Sequence, residues 1–242
     1  MEAIILAGGL GTRLRSRVAN TPKPMALVAG RPFLEWLLQG LAGQGFSRVI
    51  LAVSYLREQV MSHFGSHWGG INISYAVEPE PLGTGGAIRH ALAAVVTTGP
   101  VFVFNGDTIA PFDSAEMLAA HRPGGVTMAL VGAPDCTRYG AVEVEGGRIA
   151  GFCTGSAGPG LINAGIYLLG RDTFDGMTLP QRFSFENDFI RLSLDRVRPC
   201  IVAGWFLDIG VPSDYDRAQT ELPRKLGQSP RRCPAPPQAI MP

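Results

Sequence analysis

Lysine is almost absent from this sequence. Of 21 basic residues in 242, only Lys23 and Lys225 are lysines; the rest are arginines. A chain that uses arginine nearly everywhere yet keeps a lysine between Pro22 and Pro24 points to a compact ammonium there, a point charge that a planar guanidinium does not replace. An excess of either charge is lacking too: 21 basic against 20 acidic residues give a formal +1. No global field then draws the protein to nucleic acid or to an anionic membrane, and any anion site is local. No apolar run approaches the roughly 20 residues of a membrane span. The N-terminus shows no basic segment followed by a small-residue cleavage site, so a cytoplasmic protein is expected. The four cysteines, Cys136, Cys153, Cys200 and Cys233, form no C-x-x-C pair, which argues against a zinc site or a disulfide framework. There is no internal repeat.

Several chemical signatures are missing as well. Leu14 stands where the third glycine of G-x-G-x-x-G belongs after Gly9 and Gly11, so the dinucleotide fingerprint fails. No G-x-x-x-x-G-K-[ST] occurs, which excludes a P-loop, and no G-x-S-x-G marks a nucleophile elbow. His63 and His67 have helical spacing, but Gly65 between them and Gly69-Gly70 after them read as a helix end rather than a metal site. His90 and His121 fall on helical stretches without a partner signal.

What is present is concentrated at the start. Residues 3–7 (A-I-I-L-A) are a short apolar run of the kind that forms a buried strand. A glycine turn comes next with Gly8, Gly9 and Gly11, whose backbone N–H groups can approach an anion closely. Arg13, Arg15, Arg17 and Lys23 succeed it, with no acid between Gly8 and Leu34. Strand, glycine turn and cation cluster describe a phosphate site.

The remaining pattern predicts strands at 48–53, 71–77 and 101–104, with helices at 32–42 and 56–64. A second glycine loop, E-P-E-P-L-G-T-G-G-A at 78–87, leads into a helix to about residue 94 that Thr84 caps. Strand, helix, strand in this rhythm means a parallel sheet covered on both faces. Ligands of such sheets lie beyond the carboxyl ends of the strands, where both glycine loops and Asp107 fall. The second half is richer in strand signals, at 126–131, 141–144, 148–152, 162–169 and 198–203. Ser184 starts a helix to about residue 194, and Asp208 comes after a strand. A last helix spans 212–222. Two segments are expected: a catalytic domain at 1–222 and a proline- and arginine-rich mobile tail at 223–242.

The stretches L-A-G-G-L-G-T-R-L (6–14), P-K-P-M (22–25), G-R-P-F-L-E (30–35), N-G-D (105–107) and F-L-D-I-G (206–210) together resemble the sugar-1-phosphate nucleotidyltransferases. P-L-G-T-G-G-A, Y-G-A-V-E, G-L-I-N-A-G-I-Y-L-L and S-F-E-N-D resemble, more narrowly, the guanylyltransferases of that family that take a heptose 1-phosphate. The resemblance implies an α/β fold, a Rossmann-like three-layer sandwich with a mixed, mainly parallel sheet. It also implies a Mg²⁺-dependent reaction of a nucleoside triphosphate, GTP in the narrower resemblance, with a sugar 1-phosphate to give a nucleotide sugar and pyrophosphate. Arg13, Lys23, Asp107 and Asp208 are then the catalytic group, with Asp107 and Asp208 as metal ligands. Leu6, Ala7, Gly8, Gly9, Gly11, Thr12, Glu78, Glu80, Gly83, Thr84 and Asn105 join Arg13, Lys23 and Asp107 in holding the nucleotide. Gly140, Glu143, Asn163 and Gly165 line the acceptor pocket.

In this reading Glu78 stands where pyrimidine-specific relatives have glutamine. An ionised carboxylate only accepts hydrogen bonds, and guanine offers donors at N1 and N2, so guanine is the better partner; Glu80 is an alternative reader. Gly83, Gly85 and Gly86 leave room for a flat base against backbone, or serve only the turn. One departure stands out: many relatives carry F-x-E-K where this chain has F-C-T-G (152–155), so the lysine for the sugar phosphate is missing. That charge must then come from an arginine, with Arg138, Arg148 and Arg182 as open replacements, from a backbone nest or from the metal. Mannose-1-phosphate guanylyltransferase, glucose-1-phosphate thymidylyltransferase and a catalytically silent nucleotide-sugar-binding subunit are the competing readings, and a homo-oligomer is left open.

Overall fold

The computed structural model describes residues 1–9, 11–14, 17, 18 and 20–227. In chain order the elements are β1 (Glu2–Leu6), β2 (Leu27–Val28), β3 (Arg31–Pro32), α1 (Phe33–Gly43), β4 (Arg48–Val53), α2 (Arg57–Phe64), β5 (His67–Trp68), β6 (Ile71–Val77), α3 (Gly83–Leu92), β7 (Val101–Asn105), β8 (Thr108–Ile109), α4 (Ser114–Ala120) and β9 (Val126–Ala133). They continue with β10 (Ala141–Glu145), β11 (Arg148–Cys153), β12 (Gly160–Leu169), β13 (Val197–Val202), β14 (Leu207–Asp208) and α5 (Pro212–Leu226).

One large sheet carries the order β13-β9-β12-β7-β1-β4-β6-β5. The pairs β1–β4, β1–β7, β4–β6 and β9–β13 are parallel, whereas β12 runs antiparallel to β7 and β9, and β5 to β6. The sheet is therefore mixed and mainly parallel. Alternate residues of β1 point to opposite faces: Ala3 and Ile5 enter a core with α1, α2 and α5, and Ile4 enters a second core with α3 and the Phe183–Ile190 segment. Two buried faces require the near-continuous apolar runs that made these strands legible. The result is a three-layer sandwich. Chain order moves outward from β1 through β4 to β6 and then returns to β7 on the other side of β1, so the loops after β1 and β7 part and open a crevice.

The second core depends on glycines in α3. A Cβ on Gly85 would stand 2.1 Å from the Phe183 ring, and one on Gly86 would stand 2.5 Å from the Gln181 carbonyl. Phe183, Phe185 and Phe189 are buried here, with Phe174 and Phe189 edge-to-face at 5.1 Å and Phe185 stacked on Phe189 at 5.3 Å. The space expected to receive a base beside Gly85 and Gly86 is thus filled by the chain itself.

Other boundaries differ for local reasons. Thr84 lies inside α3 and does not cap it, since its hydroxyl accepts the Phe185 N–H at 2.8 Å and donates to Glu186. Ser184 does act as a cap, accepting the Asn187 N–H, but the chain beyond it makes a wide π turn over Phe185–Phe189 and a 3₁₀ turn over Ile190–Leu192 in place of one helix. Pro32 precedes α1 rather than opening its first turn. Helix α5 continues past Pro223 to Leu226, because Leu226 packs against the same core as Leu222. Of the expected tail, residues 228–242 lie outside the described residues. Cys136 and Cys200 are buried as free thiols and Cys153 is half-buried, while Cys233 lies outside the described residues.

Gly85→Ala is expected to force Phe183 out of its seat and lower stability by about 1–3 kcal/mol, the usual cost of overpacking. A denaturant midpoint equal to that of the wild type would show that the packing of this segment on α3 is dispensable.

Candidate active site

Four parallel strands end at the crevice: β1 at Leu6, β4 before Ser54, β6 before Glu78 and β7 at Asn105. Ala7 is buried and donates to the Ala52 carbonyl, so the first glycine loop leaves from a fixed point. Gly11 has φ +55°, and a Cβ there would stand 3.1 Å from Lys23 Cβ. The loop therefore lies on the Lys23 stem. Buried Leu14 anchors the adjoining 3₁₀ turn, Thr12–Leu14, from which Arg13 is exposed. Leu10, Arg15 and the side chain of Thr12 lie outside the described residues.

Lys23 begins a 3₁₀ turn, Lys23–Met25, closed by Met25 N–H to Pro22 O at 2.8 Å and Ala26 N–H to Lys23 O at 3.0 Å. Pro22 and Pro24 restrict the backbone on both sides of the lysine. Pro24 is buried, its ring beside Gly106, where a Cβ would lie 3.3 Å from the ring and 2.3 Å from the Leu6 carbonyl. The ammonium is thereby aimed between two carboxylates: Nζ pairs with Asp107 Oδ2 and stands 3.7 Å from Asp208 Oδ1. The Lys23 side chain is only 10% exposed.

Asp208 does not merely come after a strand; it belongs to β14, which pairs antiparallel with β8 so that Asp208 faces Thr108. The Ile209 N–H bonds the Asp107 carbonyl at 3.0 Å. This small ladder joins two acids 101 positions apart in sequence, an arrangement no local pattern announces. Arg138 adds a second cation, one arm on Asp208 and the other on Asp214, with its carbon 4.7 Å above the Tyr139 ring. The Gly210 N–H also donates to Asp208 Oδ1, at 2.5 Å. Burial, reinforced by the charge of Asp107, still holds the Asp208 carboxyl above its ordinary range against the pull of Lys23 and Arg138.

Glu78 lies between the two glycine loops. It is 6% exposed; its Oε2 accepts the Leu82 N–H at 2.9 Å, and a Cβ on Gly8 would stand 2.6 Å from its Oε1. Burial raises its carboxyl above the usual value, outweighing the Leu82 bond and the nearby His90. Glu80, by contrast, is exposed, as is Gly9. Gly83 has φ +71° and sits against the Phe183 carbonyl. Asn105 is half-buried, and its Oδ1 is buried with no hydrogen-bond partner among the described residues.

The residues expected to line an acceptor pocket separate into two groups. Gly165 has φ +71° at a bulge of β12, and a Cβ there would come within 2.8 Å of the Asn105 amide and 2.6 Å of the Thr108 hydroxyl, so it adjoins the carboxylate cluster. Asn163 lies beside it, accepting the Gly165 N–H at 2.9 Å. Glu143 is exposed on the β10–β11 hairpin and contacts Cys153 at 2.9 Å, and Gly140 abuts the same strand end. Among the open replacements for the missing lysine, Arg138 alone pairs with these acids; Arg148 starts β11 at the hairpin turn, and Arg182 is exposed beside Phe183. His63 pairs with Glu35 at 2.8 Å and His67 with Ser66, so the two do not share a ligand. Tyr167 and Glu186 entered the sequence reading only as letters of G-L-I-N-A-G-I-Y-L-L and S-F-E-N-D, without a role, and Asp214 carried no signal; all three bond to these groups.

A glycine loop resting on a lysine, with two carboxylates held around that lysine at a sheet's switch point, defines an enzyme that handles nucleotide phosphates. The chain belongs to the nucleotidyl transferase family, whose profile matches residues 2–225. It is 40% identical over 227 residues, 92% of this chain and 98% of the other, to the D-glycero-alpha-D-manno-heptose 1-phosphate guanylyltransferase of Aneurinibacillus thermoaerophilus. The enzyme of the same name from Campylobacter jejuni is 42% identical over 219 residues, 89% of this chain and 97% of the other. The crystal structure of HddC from Yersinia pseudotuberculosis complexed with GMP-PN superposes with a TM-score of 0.80 at 32% identity, covering 91% of this chain and 98% of that one. The fold is the Rossmann-like one of nucleotide-sugar transferases.

Because folding raises the Glu78 pKa, its stabilising contribution is greatest below the ordinary value of 4.5 and is lost as pH rises through the folded value. Glu78→Gln is therefore expected to be more stable than wild type at neutral pH and to lose that advantage as the solution is acidified. Thermal melts of both proteins from pH 4 to pH 8 are the check; a difference that is constant with pH would mean that Glu78 is not the group being titrated.

Proposed function

We propose that this chain transfers GMP from GTP to D-glycero-α-D-manno-heptose 1-phosphate, releasing pyrophosphate. The observation that carries the reading is the ammonium of Lys23 held between Asp107 and Asp208 at the mouth of the first glycine loop. An oxygen of the sugar phosphate attacks the α-phosphorus, a new P–O bond forms, and the bond to pyrophosphate breaks. Both reactants are polyanions, so the enzyme must align them and neutralise the charge that gathers on the phosphoryl oxygens and the leaving group.

The residues divide that work. Backbone N–H groups of Gly8, Gly9, Gly11 and Thr12, with Arg13, hold the triphosphate. Lys23 neutralises the α-phosphate as a point charge. Glu78 accepts from guanine N1 and N2, a reading supported by its place between the two glycine loops and by relatives named as guanylyltransferases. Asn105 adjoins the nucleotide at the end of β7, and Gly83 presents backbone to the base. The side chain of Thr84 is committed to Glu186 and Phe185, so its part in nucleotide binding is confined to the backbone. Asn163, Gly165, Gly140 and Glu143 receive the sugar.

Asp107 and Asp208 suit a Mg²⁺ ion: two hard carboxylate oxygens and substrate phosphates are the donor set this ion prefers, and the cationic side chains paired with both acids support a place that favours positive charge. When bound, Mg²⁺ would neutralise phosphate charge shared by the two substrates.

Pyrophosphate release measured with four nucleoside triphosphates against heptose, mannose and glucose 1-phosphates is expected to be fastest with GTP and the heptose. Faster turnover with mannose 1-phosphate, or with a pyrimidine nucleotide, would replace this assignment. Lys23→Ala is expected to lower kcat by about a thousandfold, the scale of losing one preorganised charge at the reacting group, with an unchanged far-UV circular dichroism spectrum. An undiminished rate would remove Lys23 from the mechanism.

A further inference from the structure

We infer that Glu186 is a positioning residue that sets the orientation of the Asn163 amide in the acceptor pocket and ties that pocket to the nucleotide loop; the inference rests on the transferase reading above. The Glu186 carboxylate joins three segments. Its Oε1 accepts from the Tyr167 hydroxyl at 3.0 Å, and its Oε2 accepts from the Thr84 hydroxyl at 2.8 Å. The Tyr167 oxygen in turn receives an N–H of Asn163 at 2.6 Å, and the Asn163 carbonyl receives the Gly165 N–H at 2.9 Å.

The polarity of this chain of bonds is set from one end. An ionised carboxylate can only accept, so the Tyr167 proton must point to Glu186. The tyrosine oxygen is then left as an acceptor, and Asn163 must present its NH₂ group to it. That places the Asn163 carbonyl toward Gly165, with one N–H and one lone pair for a hydroxyl of the sugar. A buried tyrosine hydroxyl with both bonds made has no other arrangement at comparable cost. Tyr167 is fully buried, and burial with the Glu186 charge holds its hydroxyl well above the usual range, so it stays a neutral donor. The other arm reaches Thr84, one residue into α3 beyond Gly83, and Thr84 is itself fixed by the Phe185 N–H. The wide π turn at Phe185–Phe189 is what brings the Glu186 side chain to both partners, and such turns recur at functional sites.

Two measurements test this. In ¹⁵N-labelled protein, the Asn163 side-chain amide protons are expected to exchange slowly in the wild type and fast in Glu186→Gln and Tyr167→Phe; slow exchange in both variants would overturn the inference without reference to activity. In steady-state kinetics with GTP and whichever sugar 1-phosphate the wild type accepts, Tyr167→Phe is expected to raise KM for the sugar about tenfold, the scale of one misplaced hydrogen bond, with KM for GTP unchanged. Glu186→Gln is expected to raise both KM values, and the double variant to be no worse for the sugar than Glu186→Gln alone, because the two act in series. Additive losses, or a lower melting temperature with unaltered KM values, would reduce Glu186 to a structural role. A wild type inert toward every sugar 1-phosphate would instead overturn the transferase reading, while the exchange measurement still decides the positioning.

Discussion

The compensation of charge around Lys23 is the constraint on which the rest of the site depends. Two carboxylates from distant parts of the chain converge at the mouth of a glycine loop, and both are partly or largely withdrawn from water. Uncompensated, such a pair would repel, and one member would take up a proton. The lysine between them keeps the acids together, and the two prolines beside it limit how far its backbone can move. Gly11 lies against the Lys23 stem, and the Pro24–Gly106 contact fixes the turn that carries it.

The sheet makes the convergence possible. Because β1 lies between β4 and β7, the loops leaving β1 and β7 depart in different directions and the crevice opens between them. The reversal of β12 then brings Gly165 and Asn163 to the same edge as the carboxyl ends of the parallel strands. Gly165 and Asn163, proposed for the acceptor, thus meet the residues proposed for the nucleotide at one edge although they come from opposite halves of the chain. The two-residue ladder of β8 and β14 completes the site with a few backbone hydrogen bonds and no core of its own, so its stability must come from burial of Leu207 and Ile209 beneath α5.

The second glycine loop serves packing more than its composition suggests. Gly85 and Gly86 are small because Phe183 and Gln181 lie on them, and Thr84 is a threonine because its hydroxyl bridges to Phe185 and Glu186. Sequence reasoning left this space to a base or to the turn alone, because a glycine run looks the same whether a ligand or the protein's own chain fills the gap. The same ambiguity hid Glu186: S-F-E-N-D reads as a helix start, and Ser184 does cap it, but which carboxylate then turns inward depends on the π turn.

Sequence alone determined the α/β class and strands 48–53 and 71–77 to the residue, and it singled out the first glycine loop, Lys23, Asp107 and Asp208, which the fold brings together. These were legible because they rest on local requirements: buried strands need unbroken apolar runs, a loop close to phosphate needs glycine, and a point charge needs lysine. Tertiary structure decided that Arg138 pairs with Asp208 and Asp214, that Glu78 is buried while Glu80 is exposed, and that Tyr167 and Glu186 stand behind Asn163. Apart from the four-residue step from Asn163 to Tyr167, each of these joins separate segments of the chain, the burial of Glu78 included, since its Oε1 lies against Gly8. The partners are chosen by the sheet order and by the turns between elements, which leave no periodic mark on the chain.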